Sequence, residues 1–118
     1  VLRGLHGDSK TWKLLSCVYG KLYLVVVNYQ NKSNGYLKWK SWILSHKNRL
    51  QILIPPNYAN GYLCLSKQCV LHYKLFYKGG YFDTKKQFAI KWNDPKIKIK
   101  WPIKKPILST RDKKTKFL

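Results

Sequence analysis

The sequence predicts an all-β domain, a sandwich or barrel of short antiparallel strands. Three observations predict it. Runs rich in β-branched and aromatic residues recur every ~8–12 residues. Glycine, proline and asparagine punctuate the gaps between those runs. Apolar residues nowhere sustain the 3.6-residue period of a helix.

Taken in order, Lys13–Tyr19 and Lys21–Asn28 form two strand-like runs separated by a short turn at Gly20. Asn31–Gly35 is a polar loop ending in Asn-Gly, a turn signal. Leu37–Leu44 alternates, with Leu37, Trp39 and Ser41 on one side and Lys38, Lys40 and Trp42 on the other. Leu50–Ile54 is a short strand closed by Pro55-Pro56, which cannot continue a hydrogen-bonded ladder. Gly61–Ser66 and Cys69–Tyr77 read as a hairpin across Lys67-Gln68, and Gly79-Gly80 marks the next loop. Phe88–Trp92 and Lys96–Trp101 complete the set. In the latter, Ile97, Ile99 and Trp101 alternate with lysines, as in a half-buried strand. Ser109–Asp112 can cap a short C-terminal turn.

At 118 residues the chain is expected to be one domain, residues 1–118, large enough to bury a core without staples. It is 45% hydrophobic and 15% aromatic, which excludes a disordered chain despite the charge. Neither a membrane span nor a signal peptide is expected, and the location is expected to be cytoplasmic. Cys17, Cys64 and Cys69 sit in apolar runs without Cys-x-x-Cys spacing and read as buried reduced thiols. No methionine occurs, and the chain opens on Val1 inside an apolar motif, as a fragment would.

The net charge of +20 comes from 24 basic residues against four acids. Such a surface attracts polyanions at low salt, so a polyanion-binding protein is the remote alternative reading. Yet only Arg3, Arg49 and Arg111 are arginines, and sequence-reading proteins favour the arginine fork. The lysines are spread along the chain rather than gathered, so nucleic acid is not the expected partner.

Several chemistries lack their motifs. There is no metal-spaced His/Cys/Glu set, so no metal is expected. The nucleophile-elbow, P-loop and dinucleotide fingerprints are missing too, which disfavours serine hydrolysis and nucleotide-triphosphate or nicotinamide chemistry. What remains is a set for proton transfer. His6 lies between Arg3 and Lys13, and histidine is the side chain that titrates nearest neutrality. His46 falls in a polar turn and reads as exposed. His72 and Tyr73 are adjacent on one strand and must face opposite sides, so only one serves an interior. Asp112 stands out because acids are scarce; helix capping and function are equally good explanations from spacing.

These residues fall into a family pattern. The chain resembles the dTDP-4-dehydrorhamnose 3,5-epimerases, nucleotide-sugar epimerases built on a cupin-type jelly roll. The matching segments are Val1–His6, Lys13–Gly20, Asn48–Ala59, Val70–Lys74, Ile90–Pro95, Ile99–Pro102 and Pro106–Asp112, in family order. The resemblance implies that His6 is the general base, with Asp112 holding its tautomer and orientation. It gives Tyr73 the role of general acid on the opposite face of the sugar, and Lys13 that of the cation beside the enolate oxygen. Arg3, Asn60 and Arg111 would bind substrate. The implied activity inverts C3, C5 or both in a nucleotide-linked 4-keto-6-deoxy sugar without a cofactor, in a homodimer, within surface-polysaccharide precursor synthesis.

The chain also departs from the pattern. Typical members read Pro-Pro-Gly-Phe-Ala-His-Gly-Phe where this chain has Pro55-Pro-Asn-Tyr-Ala-Asn-Gly-Tyr62, so Asn60 replaces a histidine. Leu24 stands where many members carry Asp, and Gly7-Asp8 replaces an aromatic-Gln pair. The His6-Gly-Asp8 form, Asn60 in place of a histidine and the Ser109-Thr-Arg-Asp112 ending resemble the branch acting on GDP- or CDP-linked keto sugars, including 6-deoxy-heptoses. Relative to the family, the N-terminal segment is expected to be missing. A catalytically inactive cupin remnant is the third reading.

Overall fold

The computed structural model describes residues 1–82 and 85–118. Among the described residues, eight strands form two antiparallel sheets: β1 Leu2–Gly7, β2 Trp12–Tyr19, β3 Lys21–Asn28, β4 Trp39–Ser45, β5 Gln51–Ile54, β6 Tyr58–Cys64, β7 Val70–Phe76 and β8 Phe88–Ala89. A short helix, α1 Thr110–Lys114, follows. The larger sheet has the order β4-β3-β6-β1-β8 and the smaller the order β5-β2-β7. No helix among the described residues is long and apolar enough to cross a membrane.

The centre of the large sheet explains its own sequence. In β3, Leu22, Leu24 and Val26 point toward the small sheet and meet Leu15, Cys17, Leu44 and Ile54. The alternate residues Val25 and Val27 point the other way and pack with Leu5, Ala59, Ile90 and Ile97. A strand covered on both faces gains from apolar side chains at every position, hence the unbroken Leu-Tyr-Leu-Val-Val-Val run.

The second covering is where the structure corrects the sequence reading. Lys96–Trp101 is not a strand. It is a turn-rich segment laid across the outer face of the large sheet, with Ile97 and Lys98 both donating to the Asp94 carbonyl. Its alternation is real, because Ile97, Ile99 and Trp101 pack on that face while the lysines are exposed. Period two followed from one-sided burial, not from a ladder.

Two further expectations change. Gly61–Ser66 and Cys69–Tyr77 do not pair as a hairpin: β6 lies in the large sheet and β7 in the small one, so the Leu65–Cys69 link crosses between sheets. The strand beginning at Phe88 is only two residues long. β1 was concealed in the sequence because Gly4 and Gly7 interrupt its apolar pattern. Its backbone passes so near β6 that a Cβ on Gly4, at φ +121°, would lie 2.6 Å from the Gly61 Cα. Of the three free thiols only Cys17 is fully buried; Cys64 and Cys69 are half-buried. Burial and the neighbouring Cys64 push the Cys69 thiol up to about 12.

Because Leu24 fills the interface between the sheets, Leu24→Ala is expected to lower unfolding free energy by about 2–5 kcal/mol. Leu53, 55% exposed on the outer face of the small sheet, should tolerate Ala within about 0.5 kcal/mol. Urea denaturation of both variants checks the contrast, and equal losses would reject this division of core from surface.

Candidate active site

One mouth of the space between the sheets opens as a cavity of about 740 Å³. Its walls include all seven residues singled out from the sequence: Arg3, His6, Lys13, Asn60, Tyr73, Arg111 and Asp112. They come from β1, β2, β6, β7 and α1, so only the folded topology brings them together.

Strand β1 supplies Arg3 and His6, three positions apart, which a regular strand would send to opposite faces. A register irregularity against β6 falls between them, and both line the cavity. His6 Nε2 is 2.7 Å from Asp112 Oδ1. Asp112 is 1% exposed, and its other oxygen accepts from the Gly4 backbone N–H at 3.2 Å. Ser109 caps α1 by accepting from the Asp112 N–H, which fixes the carboxylate's approach. Capping and a cavity role, alternatives in the sequence, therefore coexist. Burial raises the Asp112 pKa, but the bonds from His6, Gly4 and Ser109 outweigh it and hold the carboxyl below its ordinary value. Among the described residues nothing hydrogen-bonds His6 Nδ1, so that ring nitrogen is free for a ligand.

Facing this pair across the cavity is the small sheet. Tyr73 pairs with Leu15 in the ladder and points inward, while His72 points outward, the alternative that the strand geometry required. Burial, then the neighbouring Tyr62 phenol, push the Tyr73 pKa up, so the phenol keeps its proton. An Asn60 hydrogen bond opposes that shift, as donation to the phenol oxygen does. Lys13 Nζ donates to Asn60 Oδ1 at 2.9 Å. Desolvation lowers the Lys13 pKa, Arg111 adds to the effect and Asp8 opposes it. Arg111 donates to Gln87 Oε1 at 3.1 Å and, like Arg3, lines the wall.

Several lining residues escaped the sequence reading: Tyr62, Tyr81 and Gln87 among them. Tyr62 was within reach, because it lies two positions from Asn60 on the same strand and must share its face. Tyr81 and Gln87 lie in loop segments where no periodicity reports direction. His46 is exposed as expected; it stacks on Tyr19 and accepts from the Gly20 N–H. No group of three or more His, Cys, Asp or Glu among the described residues could hold a metal ion.

A two-sheet jelly roll of the cupin type, with a carboxylate–imidazole pair facing a phenol and three cations at one mouth, defines the class. The chain matches the family model for dTDP-4-dehydrorhamnose 3,5-epimerase over residues 1–118, and it belongs to that family. The enzyme of that name from Shigella flexneri is 34% identical over 115 residues, covering 95% of this chain and 62% of its own. The one from Methanothermobacter thermautotrophicus is 33% identical over 123 residues, covering 100% of this chain and 65% of its own. Among solved structures, the Bacillus anthracis enzyme with TDP and PPi bound matches with a TM-score of 0.92 at 30% identity, covering 100% of this chain and 67% of that one. The Legionella pneumophila enzyme in complex with dTDP-4-keto-L-rhamnose gives a TM-score of 0.90 at 33% identity, covering 98% of this chain and 62% of that one. The chain thus spans 62–65% of the length of these two curated relatives.

The Asp112 contacts carry a pH signature. A folded carboxyl held below its ordinary value contributes stability above about pH 4, and that contribution is lost as pH falls through the folded value. Asp112→Asn should therefore flatten the acid limb of Tm against pH relative to wild type. Parallel acid limbs in the two proteins would refute the assignment.

Proposed function

We propose that this chain is an isomerase that inverts C3, C5 or both of a dTDP-linked 4-keto-6-deoxy sugar by proton abstraction and return. The observation that carries the reading is the His6–Asp112 contact, which joins β1 to α1 in a cavity whose opposite wall, on the small sheet, carries Tyr73. The relatives' names and the nucleotides in the two solved structures supply the substrate class.

The chemistry follows from the ketone. A carbonyl at C4 acidifies the hydrogens on C3 and C5, because the electron pair left behind delocalises onto the carbonyl oxygen. Asp112 holds the imidazole through Nε2, so Nδ1 presents the lone pair that takes the carbon-bound proton. The C–H pair becomes the enolate double bond while the carbonyl π pair moves to oxygen. There Lys13 supplies a desolvated positive charge, worth about 3 kcal/mol by comparison with other oxyanion donors. Tyr73 returns a proton from the opposite sheet, which inverts the carbon; Asn60 donates to the phenolate left behind. The imidazolium and the phenolate then exchange protons with solvent. Arg3 and Arg111 line the cavity as the cationic sites suited to the diphosphate. A homodimer and a cytoplasmic location belong to the same reading.

The second reading, a GDP- or CDP-linked 4-keto heptose as substrate, rests on the sequence resemblance carried by Asn60, whose Oδ1 accepts from Lys13. Incorporation of deuterium from solvent at C3 and C5, measured across dTDP-, GDP- and CDP-linked 4-keto sugars, separates the two. Exchange with the dTDP sugar supports the first, and exchange confined to the others overturns it.

His6→Ala is expected to reduce that exchange by about 10² to 10⁴-fold. Retention of wild-type exchange would remove His6 from the base role. The alkaline limb of kcat/KM should fall below the ordinary lysine value of about 10.4, because the Lys13 cation is lost at a lowered pKa. Lys13→Arg should carry this limb to higher pH, and an unmoved limb would assign it to another group.

A further inference from the structure

Lys10 is absent from the set above, yet its ammonium is among the most elaborately held groups in the molecule. Its Nζ donates to the Lys78 carbonyl at 2.8 Å and to the Gly80 carbonyl. It also lies 4.1 Å from the centroid of the Phe82 ring and 5.7 Å from that of Tyr77. The two carbonyls flank Gly79, at φ +72°, whose left-handed backbone turns both toward the same point. The base of the lysine is fixed as well. Asp8 Oδ1 accepts from the backbone N–H groups of Lys10 and Thr11 at 2.9 and 2.7 Å, and Asp8 is itself buried.

The gripped segment, Tyr77–Phe82, forms part of the cavity wall through Tyr81. Gln87 continues the connection. Its Nε2 donates to the Phe82 carbonyl at 3.0 Å and to the Tyr81 hydroxyl at 3.2 Å, while its Oε1 accepts from Arg111. A continuous path therefore runs from Lys10 through the strap and Gln87 to the Arg111 guanidinium. No proton-transfer residue lies on it: His6, Asp112 and Tyr73 sit on β1, α1 and β7.

We infer that Lys10 is a positioning residue that clamps the Tyr77–Phe82 strap over the cavity, fixing Tyr81 and, through Gln87, the anion-binding Arg111. This rests on the proposed epimerase reading for its substrate. The clamp acts on the strap and Arg111 and makes no contact with His6, Asp112 or Tyr73, so its loss falls more on KM than on kcat. Arginine can keep both the charge and the contact with the Phe82 ring, whereas methionine keeps only the length.

The test compares Lys10→Met and Lys10→Arg with wild type by amide hydrogen exchange, dTDP affinity and steady-state kinetics on dTDP-4-keto-6-deoxyglucose. In Lys10→Met the Tyr77–Phe82 amides should exchange about tenfold faster. The dTDP Kd and the KM should rise about tenfold, with kcat within about twofold; Lys10→Arg should recover most of each. Unchanged strap exchange and KM in Lys10→Met would overturn the inference. So would a general loss of amide protection across both sheets, which would mark Lys10 as a stabilising residue only. A wild-type chain without turnover on any nucleotide-linked 4-keto sugar would remove the proposed reaction instead. Strap exchange and dTDP affinity would then decide the clamp by themselves.

Discussion

The 2.7 Å contact between His6 and Asp112 joins side chains 106 residues apart, and much of the architecture is arranged so that it can form. Asp112 must arrive from the C-terminal end at the first strand. Between Ile90 and Trp101 the chain runs across the outer face of the large sheet, where Ile97, Ile99 and Trp101, joined by Leu118, contribute to a buried cluster. Hydrogen bonds fix its course: Leu5 and Ile90 exchange backbone bonds, Leu2 donates to Ile107, and Trp101 donates to Trp92. Leu118 is tied back to the buried Asp94 carboxylate. Packing on the far side of the sheet thus determines where a carboxylate stands on the near side.

Electrostatics within the cavity follow from the same placement. Asp112 is buried but fully hydrogen-bonded, so it stays ionised where an unpartnered carboxyl would take up a proton. Lys13 directs its ammonium at Asn60 and is desolvated enough to lower its pKa, while the surroundings of the Tyr73 hydroxyl raise its pKa. The lowered Asp112 pKa and the raised Tyr73 pKa run in the directions that an orienting anion and a proton donor need. In low dielectric their charges act at greater strength than in water. The +20 net charge surrounding them is a separate matter; it sets long-range attraction of anionic ligands and not the geometry of the cavity.

How far this was legible in the sequence depended on whether a local pattern reports a global position. Period two placed Tyr73 and His72 on opposite faces, and strand runs located most of the two sheets. The same rule failed at Lys96–Trp101, since burial on one side produces alternation with or without a hydrogen-bonded partner. It also failed to detect β1, where glycines needed for close approach to β6 break the apolar pattern. Sheet membership was invisible as well: a short link between two strands fits a hairpin and a crossing between sheets equally, so β6 and β7 were mispaired. The seven cavity residues came chiefly from family likeness, because only tertiary structure brings Asp112 to His6. Tyr81, Gln87 and Lys10 left no signal, since their roles depend on loop conformation.

The proposed chemistry requires the imidazole to be held through Nε2 with Nδ1 toward substrate, and nitrogen-15 NMR of the His6 ring tests this directly. At a pH where the ring is neutral, the Asp112 contact predicts a single Nε2–H tautomer whose Nδ1 resonance shifts when a nucleotide-linked 4-keto sugar is added. It further predicts that Asp112→Asn removes that tautomeric preference. A ring averaging between tautomers as free histidine does, or one protonated at Nδ1, would contradict it.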